Sequence, residues 1–183
     1  MANRTGTYIA FDGLGKTNPT ESDFKYYSTI QAWSAGKSID FKFVNSHDKT
    51  AAVRDTSLRS TLESRIRERL AASKNCIVIL SDDTRKSGSM LSYEIEKSVD
   101  LYKIPLICVY PGYEKINAPD KHSSRWPDAL TTRINNRTAD AIHVPFKKDI
   151  LLTAINQFSV NDSSPGGSLI HYTNEAQEKL NSK

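Results

Sequence analysis

The sequence predicts an α/β fold of the flavodoxin-like type, with five parallel strands in one sheet of order 2-1-3-4-5 and helices on both faces. Short apolar runs alternate with segments that repeat apolar residues at helical spacing, which is typical of right-handed crossovers between parallel strands. Residues 76–80 form an unbroken apolar run, which indicates a strand buried on both faces. Residues 38–44 alternate apolar and polar side chains, so this strand suits an edge of the sheet.

The strands and helices are predicted in strict alternation. The strands are short runs rich in apolar or β-branched residues, at 7–11, 38–44, 76–80, 104–110 and 139–144. The helices repeat apolar residues every three or four positions, at 20–35, 58–70, 90–102, a short stretch around 129–134, and 147–158. Thr20 is predicted to cap the first helix, and Gly36 is predicted to end it.

The length of 183 residues suits one domain with a tail, and we divide the chain into a domain at 1–160 and a linker with C-terminal tail at 161–183. The hydrophobic content of 38% and charged content of 25% are typical of a globular protein. Residues 161–168 are rich in Ser, Gly and Pro, which predicts a flexible linker. Residues 169–183 are interpreted either as a short helix from Thr173 or as a tail with little structure, and we favour the tail with little structure.

Charge and cysteine usage argue against several classes of protein. The net charge is only +4, and the densest basic run, at 65–69, is interleaved with glutamate, so no nucleic-acid partner is expected. Neither a membrane-span-length apolar run nor a signal-peptide pattern is present, which predicts a cytoplasmic protein without a membrane partner. Cys76 and Cys108 lie in strand runs and are expected to be buried, reduced thiols. The histidines lack metal-ligand spacing, so no metal site is predicted.

Glu94 is the first candidate for a functional residue. It lies early in the helix that follows strand three, near the carboxyl edge of the sheet where ligands bind in folds of this class. Glu94 and Glu96 fall on opposite flanks of the apolar stripe, and Glu94 is nearer the helix N-terminus, where the helix dipole favours an anion. The alternative is that both are solvated surface glutamates, because charged helix residues usually lie on the surface.

Two other signals lie in loops at the same edge of the sheet. Residues 15–17 read Gly-Lys-Thr, as at the end of a nucleotide-binding P-loop, but Ala10 stands where the first glycine belongs. Pro19 and its restricted neighbour Asn18 prevent a helix from starting at Lys16, so a glycine-rich turn is favoured and a P-loop NTPase is a minor alternative. His47 lies alone in a polar loop, which is typical of a surface residue, although it shares the edge with Glu94.

Several segments together resemble a known family. They are the helix and strand at 58–81, which end in a serine, the serine-rich approach at 87–95, the sequence Tyr-Glu-Ile-Glu at 93–96, and the strand at 105–109. Over residues 7–158 the chain resembles the TIR and TIR-like domains, in particular the ThsB type of the Thoeris anti-phage system. The predicted fold is therefore TIR-like.

The resemblance implies an enzyme that cleaves the nicotinamide–ribose bond of NAD, a hydrolase of the NAD glycohydrolase or ADP-ribosyl cyclase type. Glu94 matches the catalytic glutamate of family enzymes. The implied substrate-binding residues are Phe11, Asp12, His47, Ser81, Ser87 and Met90. The sequence departs from the family at Met90, where many members have tryptophan, and at Gly88, where a serine is common.

The implied product is an ADP-ribose-derived nucleotide signal that activates a separate effector protein in antiviral defence. NAD is then a substrate, and neither cofactor nor metal is implied. A phage-derived trigger and self-association into a homo-oligomer are further partners consistent with the resemblance. The competing interpretation is a TIR-like scaffold that assembles through its surfaces without turnover, in which Glu94 is an ordinary helix residue.

Overall fold

The computed structural model describes residues 4–16, 18, 20–36, 43–44, 59–162 and 166–182. It confirms an α/β fold with a parallel sheet. Four neighbouring strands form most of this sheet, in the order β1 (Gly6–Ala10), β3 (Ser73–Ile79), β4 (Leu106–Tyr110) and β5 (Ala141–Pro145). A two-residue strand, β2 (Phe43–Val44), pairs in parallel with the other side of β1, and the rest of the predicted strand 38–44 lies outside the described residues.

Helices cover both faces of the sheet. The first face carries α2 (Arg59–Ala71), α3 (Met90–Glu96) and α4 (Asp128–Asn135), whose apolar residues pack on Tyr8 and Ala10. The second face carries α1 (Phe24–Ser34) and α5 (Lys148–Gln157), which pack on Ile9 and Phe11. Successive side chains of a strand point to opposite faces, so the sequence of β1 alone separates these two cores.

Three local features differ from the sequence-based expectations. The first helix begins at Phe24 with Asp23 at its N-cap, because Asn18 binds Thr20 in a separate turn and Ser22 has a positive φ of 49°. The helix predicted at 90–102 is α3 followed by a π-helical turn at Lys97–Leu101. The loop after β4 contains a 3₁₀ helix, Pro119–Arg125, which the sequence did not indicate.

Residues 166–182 are structured, so the favoured interpretation of a tail with little structure is wrong there. Ile170 forms a parallel bridge with Ile142, and its amide donates to the carbonyl of Ala141, so this segment pairs with the edge of β5. A last helix, α6 (Asn174–Asn181), begins at Thr173, whose hydroxyl accepts from the Ala176 amide. The tail is ordered because exposed strand-edge groups form backbone hydrogen bonds with it.

A buried hydrogen-bonded chain joins the sheet to this tail. The indole of Trp126 donates to the Tyr110 hydroxyl, which lies 2.7 Å from Nδ1 of His143. Nε2 of His143 lies 2.9 Å from the Ser168 carbonyl, which can only accept, so Nε2 carries the proton and Tyr110 donates to Nδ1. Burial lowers the pKa of His143 to about 4, which agrees with a neutral ring.

Both cysteines lie within the sheet and are fully buried. Burial raises the pKa of each thiol, as expected for structural residues. Among the described helices, none has both the length and the apolar character that a membrane crossing requires.

Gln177 provides a test of how firmly the tail is docked. Its side-chain amide accepts from the Ile116 amide and donates to the Ile116 carbonyl, at 3.0 Å each, in a buried position. Gln177→Ala leaves these backbone groups unpaired, so we expect a loss of about 1–3 kcal/mol in the free energy of unfolding, measured by denaturant titration. Glu178→Ala removes only an exposed ion pair with Lys115 and serves as the control with little effect. Equal stability of the two variants would contradict a docked tail.

Candidate active site

Glu94 lies inside the protein, although it is a charged residue on a helix. Its side chain is 4% exposed, whereas Glu96, two residues later, is only partly buried. Leu91 and Ile95 direct α3 toward the sheet, and Glu94 falls on the flank of that stripe that faces β1. The interpretation of both glutamates as solvated surface residues is therefore wrong for Glu94.

Tyr8 binds the buried carboxyl group directly. Its hydroxyl donates to Oε1 of Glu94 at 2.5 Å, and both side chains are buried. A buried tyrosine hydroxyl needs a polar partner, and Glu94 supplies one across 86 residues of sequence. This contact positions the Glu94 carboxyl against the first strand of the sheet.

The surroundings of Glu94 favour its neutral form. Burial raises the pKa of its carboxyl group to about 8, and the negative charge of Asp12 adds to the rise. The hydrogen bond from Tyr8 and the charge of Arg69 act in the opposite direction. A carboxyl group whose pKa lies close to neutral pH can change its charge when a ligand binds. Such shifted pKa values are typical of functional sites.

Asp12, the next charged group of the site, follows β1 and stays ionised. Burial raises the pKa of Asp12, but hydrogen bonds from Arg85 and from the Leu14 amide outweigh that effect and lower it overall. The guanidinium of Arg85 binds both carboxylate oxygens at 2.8 Å, in a forked pair that joins the loops after β1 and β3. A fixed negative charge therefore lies close to Glu94.

The loop after β3 folds into a tight turn at the same edge. The Ser81 amide donates to Oγ1 of Thr84 at 2.9 Å, and the Asp83 amide donates to the Ser81 hydroxyl at 3.1 Å. Thr84 in turn lies 3.4 Å from the carboxylate of Asp23, which is buried at the start of α1. Burial raises the pKa of Asp23 to about 6, and the charges of Asp83 and Asp12 contribute to the rise.

The remaining predicted site residues have different surroundings. Phe11 is buried and stacks on Tyr27, with 5.0 Å between ring centroids. Met90, the first residue of α3, packs against the core, and Ser87 is exposed. His47 lies outside the described residues. Within the described part of the chain, no three His, Cys, Asp or Glu side chains converge as metal ligands do.

The loop after β1 does not have the geometry of a phosphate-binding loop. Lys16 pairs with Glu21 at 3.7 Å, and α1 begins eight residues after Lys16. The turn instead places Gly15 at a φ of +70°, a conformation that favours glycine. Among the described residues of this loop, none begins a helix directly after Lys16, as the P-loop arrangement would require.

Sequence reasoning missed Tyr8 and Arg85. Tyr8 carried a usable signal, because a tyrosine in a buried strand needs a hydrogen-bond partner on the face to which it points. Arg85 carried none, because its partner Asp12 is 73 residues away and no local pattern links the two.

The model of one protein family matches this chain over residues 8–116, which is more than half of its length. The family is described as the TIR-like domain of the Thoeris protein ThsB. The matched segment contains Tyr8, Asp12, Ser81, Arg85 and Glu94, so the buried carboxyl group and its neighbours all lie within it.

The Tyr8–Glu94 contact predicts how the Glu94 carboxyl titrates. The groups that face it are Tyr8 from β1, Asp12 after β1, Arg69 from α2 and Cys76 from β3. A hydrogen bond donated to a carboxylate favours the charged form, so Tyr8→Phe should raise the Glu94 pKa above its value of about 8. Carboxyl ¹³C NMR against pH measures the midpoint.

Tyr93→Phe is the matched control for this titration. Tyr93 lies next to Glu94 on α3, but its buried hydroxyl has no hydrogen-bond partner among the described residues. We expect the Glu94 midpoint to stay where it is in this variant. A midpoint that falls in Tyr8→Phe, or does not move, would show that Tyr8 does not stabilise the carboxylate.

Proposed function

Because the chain belongs to the family of Thoeris ThsB TIR-like domains, we propose that it cleaves the nicotinamide–ribose bond of NAD to make an ADP-ribose-derived signal in anti-phage defence. Family membership supports the defence role. The observation that carries the enzymatic part is the buried Glu94 carboxyl group, held by Tyr8 of β1 and close to Asp12, which follows β1 at the carboxyl edge of the sheet. Ligands bind at this edge in open α/β sheets.

The proposed reaction is a substitution at the anomeric carbon of the ribose. The bond to the pyridinium nitrogen breaks, its electron pair leaves with nicotinamide, and an oxocarbenium-like ribosyl cation develops. Water, a nucleotide atom of the same molecule or another small nucleophile adds to that carbon and loses its proton to solvent. The products are ADP-ribose, a cyclic isomer or a conjugate, and neither metal nor cofactor takes part in this scheme.

Glu94 is proposed to stabilise the positive charge that develops on the ribose. In the free protein, burial keeps its carboxyl group largely neutral at pH 7, because the pKa is about 8. The nicotinamide ring of NAD carries a positive charge, and a nearby positive charge favours the ionised form of a carboxyl group. Binding of the substrate is therefore expected to ionise Glu94, which then faces the ribosyl cation.

The proposal gives the other site residues supporting roles around the substrate. Asp12, held by Arg85, adds a second negative charge near the reacting centre. The substrate-binding roles of Phe11, His47, Ser81, Ser87 and Met90 belong to the same proposal. A five-stranded sheet of order 2-1-3-4-5 is also part of it, and the pairing of β2 with β1 supports that order.

The proposal includes partners as well as the substrate. The product would activate a separate effector protein, and a phage-derived trigger would switch the enzyme on. Self-association into a homo-oligomer is compatible with this scheme. We place the protein in the cytoplasm, where NAD and the effector would both be available.

A non-catalytic TIR-like scaffold is the second candidate. The observation that favours it is the low exposure of Glu94: at 4% exposed, with Oε1 already bound by Tyr8, the side chain offers little surface to a substrate in the free protein. On this interpretation the Tyr8–Glu94 contact is a structural link between β1 and α3, and the protein acts through its surfaces.

Glu94→Gln separates the two candidates, because it keeps the shape of the side chain and removes its charge. We expect nicotinamide release to fall by a factor of about 10²–10³, the scale seen when a positioned electrostatic group is lost. Glu96→Gln is the control, and we expect it to stay near the wild-type rate because Glu96 is only partly buried. Nicotinamide release is measured in extracts of phage-infected cells, which supply the trigger. If folded Glu94→Gln turns over NAD at the wild-type rate, the scaffold is the better interpretation.

Lys16→Ala tests the minor P-loop alternative. The side chain of Lys16 pairs with Glu21 in an exposed loop, so we expect NAD turnover and phage protection to remain close to wild type. ATP hydrolysis by the wild-type protein that disappears in Lys16→Ala would support an NTPase instead.

A further inference from the structure

A polar groove of about 510 Å³ opens at the carboxyl ends of β3 and β4. Its lining includes Lys25 and Tyr26 from α1, Ser81 and Asp83 from the loop after β3, and Tyr113 from the loop after β4. Tyr26 packs against the core that α1 covers, whereas Tyr113 packs against the core on the other face, which α3 covers, so the groove lies across the end of the sheet. The volume is in the range of small-molecule sites, so the groove is large enough for a ligand of its own.

Arg125 holds the groove in shape. Its guanidinium donates to the Pro111 carbonyl at 2.9 Å and pairs with the Asp82 carboxylate at 2.6 Å. It also lies over the Tyr113 ring, 4.7 Å from the centroid. One largely buried arginine thus joins the end of β4, the loop after β3 and the Tyr113 ring. Because these groups are already held in place, few side chains need to become ordered when a ligand binds.

The lining side chains that Arg125 does not neutralise define the chemistry of the ligand. The Lys25 ammonium packs over the Tyr26 ring, 4.9 Å from its centroid, and no carboxylate in the described part of the chain pairs with it. The Asp83 carboxylate is exposed, while its amide is held by the Ser81 hydroxyl. The groove therefore offers one cation, one hydrogen-bond acceptor and two aromatic rings.

We propose that this groove binds a nucleoside monophosphate and, resting on the proposed function, that it holds the AMP half of NAD. The phosphate binds Lys25, the ribose hydroxyls donate to Asp83, and the base packs against the tyrosine rings. A carboxylate is the group that dinucleotide-binding folds use for ribose hydroxyls. A nucleoside triphosphate is disfavoured because the rim carboxylates would repel its additional negative charge, and a nucleic-acid strand would need a row of cations.

A short series of neighbouring side chains connects this groove to Glu94. The negative charge of Asp12 raises the pKa of both Glu94 and Asp23. The Asp23 carboxylate lies 3.4 Å from the Thr84 hydroxyl, which also binds the amide of Ser81 in the groove lining. The groove and Glu94 therefore share one set of neighbouring groups, as a substrate that occupies both sites requires.

AMP binding tests the groove without requiring turnover. Calorimetric titration with AMP should show binding to the wild type, and Lys25→Ala should weaken it about 10-fold or more, as expected for a charge-assisted hydrogen bond. Asp83→Asn should weaken it less, because an amide oxygen still accepts. Lys97→Ala is the matched control, since Lys97 also packs over a tyrosine ring, 5.1 Å from the Tyr93 centroid, but outside the groove. No AMP binding at millimolar concentration, or equal binding by all variants, overturns the proposal.

Kinetics with a truncated substrate link the groove to the reaction. Nicotinamide mononucleotide keeps the scissile bond but lacks the AMP half. Lys25→Ala should therefore raise KM for NAD about 10-fold and leave cleavage of the mononucleotide unchanged. Equal losses of kcat/KM on the two substrates would overturn the assignment. NAD cleavage without AMP binding overturns the groove alone. AMP binding that depends on Lys25, in a protein that never cleaves NAD, would leave the groove standing and reject the proposed reaction.

Discussion

The hydrogen bond between Tyr8 and Glu94 is the contact on which the site depends. A carboxyl group this deeply buried would be costly without a polar partner, and the hydroxyl on β1 provides one. The same bond ties α3 to the first strand, so the charge state of Glu94 and the position of the helix are linked. Burial and Asp12 hold the carboxyl group neutral, and Tyr8 and Arg69 bring its pKa within reach of neutral pH.

Two arginines organise the loops around this contact. Arg85 joins the loop after β3 to Asp12, and Arg125 joins the ends of β3 and β4 to the rim of the groove. Each pairs with a carboxylate and adds further directed contacts, which gives more definite geometry than an exposed ion pair. The carboxyl edge of the sheet is therefore held by side chains of the loops themselves.

The C-terminal segment completes the other edge of the sheet. It pairs with β5, accepts a hydrogen bond from His143 and inserts Gln177 against the loop after β4. That loop also supplies Tyr113 and leads into the helix that ends at Arg125, so the tail binds the loop that forms one wall of the groove. The tail itself lies beyond residue 116, outside the segment that the family model matches, whereas its partner Ile116 is the last residue of that segment.

Local patterns in the sequence determined the alternation of strands and helices and the two faces of β1. They also determined that Glu94 lies on the side of α3 that faces the sheet. Each of these features depends on residues only a few positions apart. Those patterns could not supply the partners of Glu94 and Asp12, since Tyr8 and Arg85 lie 86 and 73 residues away and meet them only when the strands align. They also misjudged the tail, whose polar composition conceals a backbone that pairs with β5. Hydrogen bonds between distant segments follow from the packed sheet, and only the tertiary structure decides which donor meets which acceptor.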